Sequence, residues 1–323
     1  MKELEIRDRF VRDTGLQIPV LESPYFEYHL SLYRDQWKSF SKWAEFQELL
    51  SKDPRFVDKC FLVRNQILKS IEENEEFKKF NNRVDLSKWS NPYYKGNGSK
   101  SIYNQENVGK DFISIDLVKA NIQALNNSCP GIFGDTGFKD INEVWREWIE
   151  GFCEGNSGMA KWISESKHIR QKLLGLKNPS RQIMVERWMI GLAANHIINS
   201  TELKEEDIAF ISQDEVVFKS NIVLDEKVIW KETGIQVKIK NFKLKSYSYL
   251  TGNGNTIRTY VKENTDGTKD FKGIPKNYLA QIYQDIVRFP PDPEERDLVF
   301  YNDVKDICKF TTRLRRYDST ETT

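Results

Sequence analysis

Two short apolar runs that carry carboxylates at their ends constrain this chain more than any other feature. Phe112, Ile113 and Ile115 form one run, which stops at Asp116. Ile208–Ile211 and Val216–Phe218 form another pair of runs, separated by Ser212–Glu215, so Asp214 and Glu215 sit in a turn between two apolar segments. Period and composition predict a strand ending in Asp116 and a strand-turn-strand hairpin carrying Asp214-Glu215. A carboxylate at the end of a buried strand loses hydration, and that loss is offset when divalent cations share it. Two magnesium ions about 4 Å apart activate an attacking hydroxyl and stabilise a leaving pyrophosphate, and they need hard oxygen ligands from separate elements. Asp116 and Asp214-Glu215 therefore form a candidate two-metal carboxylate site. Taken singly, each has a local alternative: an Asp before a helix caps it, and Asp-Glu in a hairpin suits the turn.

The surroundings predict an α+β chain. The N-terminal third reads as helical, with stretches from Ser23-Pro24 to Trp37, from Trp43 to Leu50, and from Val57 to Phe80, the last with Phe61, Leu62, Ile67, Leu68 and Ile71 near helical spacing. Trp89–Ser101 is a loop. SIYNQENVGKDFISIDL reads as two short strands around Glu106–Gly109. Helical pattern follows in VKANIQALNN and in Val144–Phe152, then a loop at Gly155–Gly158. Two basic helices, Ser166–Leu176 and Ser180–Ile198, part at Asn178-Pro179, with Ser180 as N-cap of the second. Alternation from Val223 to Tyr260 predicts antiparallel strands. Tyr278–Val287 is helical, PPDPEER a linker, and Asp303–Arg316 a last helix. Residues 1–101 form a helical N-terminal lobe. Residues 102–225 form a core sheet with a helical insertion at about 130–205. Residues 226–323 form a basic β/α region with a polar tail.

Net charge is only +1, yet it is unevenly placed. Asp111–Glu154 holds eight acidic and three basic residues, Asn156–Trp188 seven basic and two acidic, and Lys227–Arg288 twelve basic and five acidic. An acidic segment followed by two basic ones suits a metal site flanked by surfaces for a polyanion; solvated faces are the plainer alternative. Four scattered cysteines and three scattered histidines make no zinc pattern. Neither a leader nor a membrane span is visible, so a cytoplasmic protein with reduced thiols is expected.

The two carboxylate elements resemble a known family. ISQDEVVF is similar to motif C of family A DNA polymerases, with Gln213 where that family has His. DFISIDLVKANIQAL resembles polymerase motif A, and its D-x-x-x-A stretch, Asp116 to Ala120, is closer to reverse transcriptases. HIRQKLLGLKNPSRQIMVERW stands in the place of motif B, the fingers helix, without that motif's glycine-aromatic signature. The order is that of a polymerase palm, and the resemblance covers roughly residues 102–225. It implies a palm-like sheet, compact fingers and a thumb-like C-terminal region. It implies Asp116 and Asp214 as metal ligands, Glu215 as their support, Mg²⁺ or Mn²⁺ as cofactor, and nucleoside triphosphates with a nucleic-acid template and primer as partners, other protein subunits among them. Arg170, Lys172, Lys177, Arg181 and Arg187 are the candidates for triphosphate contact; spacing does not choose among them. Asn121 takes the place of the aromatic that excludes a ribose 2′-hydroxyl in reverse transcriptases, so a ribonucleotide product stays open.

FKGIPKNYLAQIYQ resembles the Lys-Gly segment after motif C in some protein-primed and viral family B polymerases. Lys243, Lys245, Arg258, Lys272 and Lys276, with Tyr247, Tyr249 and Tyr260 nearby, fit a groove along a nucleic-acid backbone. Lys238, Lys240, Lys243 and Lys245 read as one face of a strand, for which a solvated outer face is the common alternative. Two other functions compete with polymerisation. Asp225, Gln236 and Lys238 have the Asp…(Glu/Gln)-x-Lys spacing of restriction-endonuclease-like nucleases. A palm-like subunit that binds nucleic acid without catalysis fits the missing motif B signature.

Overall fold

The computed structural model describes residues 2–288 except 19, 24, 84, 95–100, 135, 136, 138, 176, 251–253, 276 and 277, together with 296–300 and 310–317. The chain is α+β. Helices α1 (Glu3–Thr14), α2 (Tyr25–Leu32), α3 (Arg34–Trp37), α4 (Ser39–Lys52), α5 (Phe56–Glu73) and α6 (Glu75–Asn82) come first. Strand β1 (Asp111–Leu117) leads into α7 (Ala120–Ser128), α8 (Ile141–Glu150), α9 (Ser157–Glu165), α10 (Lys167–Leu174) and α11 (Pro179–Ser200). Then come β2 (Ile208–Ile211), β3 (Glu215–Phe218), α12 (Glu226–Thr233), β4 (Val237–Leu250), β5 (Thr256–Asn264), β6 (Lys269–Lys272), α13 (Leu279–Arg288), β7 (Arg296–Phe300) and β8 (Phe310–Tyr317). Contacts divide the chain into two units, one of residues 53–104 and 110–242, the other of 1–52, 105–109 and 243–323. The helices of the first hundred residues are thus shared between the units.

In the first of these units the strand order is β2-β3-β1, with the start of β4 next to β1. β1 and β3 are antiparallel, with Ile113 opposite Phe218, Ile115 opposite Val216 and Asp116 opposite Glu215. Phe112, Ile113, Ile115, Val216, Val217 and Phe218 are fully buried. A strand covered on both sides reads as a continuous apolar run, which explains the sequence FISI. Complete burial of such a side chain contributes about 1.5–3 kcal/mol, so these six anchor the strand ends where the acids lie. The 22-residue α11 packs on α7, α12, β1 and β3. Segment 89–94 lies against it at Gly191, where an added Cβ would come within 2.7 Å of Asn91. Asn91 donates to the Arg187 carbonyl at 2.6 Å. Trp145 on α8 is fully buried and donates to the Ser164 carbonyl at 3.1 Å.

In the other unit, Phe10, Phe26, Trp43 and Phe46 from α1, α2 and α4 form an aromatic core, with ring centroids 4.9 Å apart for Phe10–Trp43 and 5.0 Å for Phe26–Trp43. Buried Arg7 is paired with Glu3 and Glu27. β5 and β6 form an antiparallel hairpin, and β8 pairs with β4 and β7. Tyr249, Ile257, Val261, Ile282 and Ile286 make its second core, with the Tyr249 hydroxyl donating to Asp285 at 2.7 Å.

Several sequence expectations are corrected. Continuous β structure from Val223 to Tyr260 is interrupted by α12. Asp225 caps α12, accepting from Lys227 N–H at 2.8 Å, and Gly234 ends it at φ 72°. The expected strand before Glu106 is irregular backbone that runs into a 3₁₀ turn at Gln105–Asn107. α9 begins inside the expected Gly155–Gly158 loop, because Asn156 caps it through Met159 N–H. Pro179, not Ser180, opens α11: proline suits the first helical position, and Asn178 takes the left-handed conformation before it. Phe310–Arg316, expected to be helical, lies in β8, as its Phe-Thr-Thr start favours. The PPDPEER linker falls, apart from Arg296, outside the described residues, as do 303–309 of the expected last helix.

Truncating Trp145 to Ala leaves a cavity and an unpaired carbonyl, so unfolding free energy should fall by about 3–5 kcal/mol. Urea denaturation of the two proteins, followed by tryptophan fluorescence and circular dichroism, measures the difference.

Candidate active site

The site grows from the β1–β3 register. Directly opposed residues on an antiparallel ladder share a face, with Cβ atoms about 4.5–5.5 Å apart, so Asp116 and Glu215 emerge side by side. The Asp214 carbonyl accepts the Leu117 N–H at 2.9 Å, which fixes the hairpin turn against the end of β1. Ser212 closes that turn: its N–H donates to the Glu215 carbonyl at 2.8 Å, its Oγ accepts from the Glu215 N–H at 3.2 Å, and it donates to the Asp214 carboxylate at 3.3 Å. Glu215 itself takes a hydrogen bond from the Ser114 hydroxyl, one pleat back on β1.

A cleft of about 450 Å³ opens at this end of the sheet. Asp116, Asp214 and Gln213 form its sheet side, with Lys238 from the start of β4. Val118, Lys119, Ala120 and Asn121 form the turn into α7. The helical wall comes from α10, through Lys167, Arg170 and Gln171, and from α11, through Pro179, Gln182, Ile183 and Glu186. Those last four are spaced i, i+3, i+4 and i+7, which is one stripe of a helix. Three carboxylates and four cations thus line one cleft.

Two of these titratable groups are buried and make no side-chain hydrogen bond or ion pair among the described residues. Arg170 is 9% exposed; its Nε has no hydrogen-bond partner, and no carboxylate pairs with it among the described residues. Burial lowers its pKa to about 10. Glu186 is 7% exposed and makes no side-chain hydrogen bond among the described residues. Burial, together with the charge of nearby Asp214, raises its pKa to about 7. Lys119, in the left-handed conformation at φ 46°, is pushed down to about 8 by burial and by the positive charge of Arg170, against the opposing pull of Asp140 and Glu165. A buried ion without a partner is costly, and a protein that keeps both signs in one cleft has put them where a ligand of mixed charge would meet them.

Of the candidate residues, Asp116, Asp214, Arg170 and Asn121 meet in this cleft. Glu215 stands behind it on Ser114. The other basic residues are engaged or placed elsewhere. Lys177 pairs with Glu72. Arg181 donates to the carbonyls of Phe80 and Arg83 at 3.0 and 2.7 Å. Arg187 lies over the Tyr94 ring at 4.0 Å. Lys172 is exposed and does not line the cleft. A helix turns about 100° per residue, so Lys172, two positions past Arg170, and Arg181 and Arg187, beside Gln182 and Glu186, fall outside the stripes that line the cleft. Asp225 is committed to capping α12, and Gln236 is spent on the Lys139 carbonyl and Ile141 N–H, each at 3.0 Å; Lys238 alone of that trio lines the cleft. Lys243, Arg258 and Lys272 are exposed, Lys245 pairs with Glu263 at 3.0 Å, and Lys276 lies outside the described residues. Lys238 and Lys240 do not share a face with Lys243 and Lys245, since Lys240 and Lys243 are three residues apart on one strand and side chains alternate.

Lys119, Lys167, Gln171, Gln182 and Glu186 were not singled out from sequence. The helical stripes that carry the last four were legible in spacing, but nothing local marks which stripe faces a cleft. Among the described residues, no three His, Cys, Asp or Glu side chains lie close enough to form a metal ligand set by themselves. No described helix is long and apolar enough to cross a membrane. No protein-family model matches the chain, and neither a curated protein nor a solved structure matches it at a significant level.

Replacing Arg170 with Met removes a buried, unpaired charge at similar volume. The melting temperature should hold or rise, while stabilisation by added pyrophosphate or triphosphate should drop at least severalfold. Thermal denaturation with and without the anion reads both effects.

Proposed function

We propose that this chain is a template-dependent nucleotidyltransferase, a compact polymerase-like enzyme that works with two divalent cations. The observation that carries this is the division of charge in one cleft: Asp116 and Asp214 on the sheet side, with Lys119 in the turn into α7 and Arg170, whose buried Nε has no hydrogen-bond partner, on the helical wall. A metal–polyphosphate complex needs that combination, hard oxygens for the cation and fixed positive charge for the phosphates. The donor set fits magnesium or manganese, since such an ion is held by one or two carboxylates and completes its shell from water and phosphate oxygens. When bound, the cations activate an attacking hydroxyl and neutralise charge on the leaving pyrophosphate.

The chain's own groups supply the rest. Asp116 and Asp214 hold the cations, and Glu215, tied to Ser114, keeps the hairpin acid end in register. Arg170 offers a forked donor to phosphate oxygens, and Lys119 and Lys167 add point charges. Ala120 and Asn121 begin α7, so their N–H groups have no intrahelical acceptor and the helix dipole favours an anion there. Asn121 is small and polar, which admits a ribose with its 2′-hydroxyl as readily as a deoxyribose. Exposed Lys243, Arg258 and Lys272 are the residues for the nucleic-acid backbone. The palm-like organisation, the template and primer, and a cytoplasmic setting belong to this same proposal.

Labelled NTPs and dNTPs, offered with Mg²⁺ or Mn²⁺ on primed DNA and RNA templates, test it. Incorporation is expected in at least one combination, with Asp116→Asn or Asp214→Asn reducing it at least a hundredfold while melting temperature stays within a few degrees. Incorporation undiminished by Asp214→Asn, or none in any combination, overturns the assignment.

A further inference from the structure

Glu186 is a buried acid among the cations of the helical wall. It lies on α11, which was read as a basic phosphate-binding helix, yet it is an acid. It is 7% exposed, lines the cleft, makes no side-chain hydrogen bond among the described residues, and lies close enough to Asp214 to feel its charge. Arg170, equally buried in the same wall, does not pair with it. A buried carboxyl and a buried guanidinium in one wall would be most stable as a pair. Their separation implies that each meets a different part of what fills the cleft.

The geometry points to Glu186 as an outer-sphere carboxylate of the cation site: it accepts a hydrogen bond from water coordinated to the cation that Asp214 holds. This rests on the metal reading proposed above. Three observations converge on an outer rather than an inner role. Glu186 is near Asp214, but no three acids close into a ligand set among the described residues. Among the described residues no side chain or backbone N–H donates to its carboxylate. Magnesium keeps several of its waters when protein-bound, and those waters are donors that need oriented acceptors. Glu186 is thus a positioning residue that acts through solvent and adds negative charge to the site without occupying a coordination position. Its source on α11 also links the cation to the helical wall that carries Gln182, so cation and phosphate sites share one rigid element.

Direct binding of Mn²⁺ to the full chain, followed by electron paramagnetic resonance of the free ion, tests this without turnover. Wild type should bind Mn²⁺, and Asp214→Asn should lose that binding. Glu186→Gln should bind at least about tenfold more weakly, the usual scale for loss of an outer-shell partner, while its metal-free melting temperature holds or rises because a buried like-charge neighbour of Asp214 is gone. A merely structural Glu186 gives the reverse, a lower metal-free melting temperature and unchanged Mn²⁺ affinity, and that result overturns the inference while leaving the two-aspartate site standing. If wild type binds no Mn²⁺ at millimolar concentration, the metal reading itself fails and the inference with it. Should Glu186→Gln not fold, Glu186→Met, which fills the volume and accepts no hydrogen bond, is judged by the same two measurements.

Discussion

The antiparallel register between β1 and β3 sets everything near the cleft. Asp116 and Glu215 are directly opposed, and the Asp214 carbonyl is hydrogen-bonded to Leu117. A slip of one residue would turn every side chain of β3 to the opposite face. It would put Glu215 and Val217 where Val216 and Phe218 now fill the core. Burial of Ile113, Ile115, Val216 and Phe218 on one face therefore holds the acids in place, since a slip would put the Glu215 carboxylate into that core. Ser212 and Ser114 add local restraint, one closing the turn and the other hydrogen-bonding the Glu215 carboxylate. The acids are kept near one another by hydrophobic burial, against their own repulsion.

The helical wall answers that concentration of negative charge. α10 and α11 each present a stripe to the cleft, and each stripe holds one buried titratable group with no ion-pair partner among the described residues, Arg170 and Glu186. Such groups lower the stability of the empty protein, because desolvation is not repaid by an intramolecular partner. Sites that bind ligands accept this cost, and residues that could be replaced with a gain in stability are often those that function requires. The two ions thus mark the cleft more sharply than its size does.

Much of this was legible in the sequence where local pattern decides structure. The SQDE turn between two apolar runs, the strand ending at Asp116, and the two basic helices parted at Asn178-Pro179 all follow from period and turn chemistry. The α12 helix was marked by Asp225 and Gly234, a cap at each end, although Val228, Ile229 and Trp230 read as strand. What local pattern cannot report is which face of a helix meets a cleft. Arg170, Lys172, Lys177, Arg181 and Arg187 look alike in sequence, but packing sends Lys177 to Glu72, Arg181 to two carbonyls and Arg187 to Tyr94, leaving Arg170. Glu186 was hidden for the same reason: within a basic helix an acid reads as a surface residue, and only tertiary contact shows it buried beside Asp214.

The central claim is that one cleft takes a cation at its sheet side and polyphosphate at its helical side. Crystals grown with Mn²⁺ and a non-hydrolysable nucleoside triphosphate, measured for anomalous scattering from manganese, test that placement directly. Anomalous peaks at the Asp116 and Asp214 carboxylates, with phosphate density against Arg170 and the first turn of α7, are predicted. Manganese bound elsewhere, or a nucleotide whose phosphates avoid Arg170, would contradict the account.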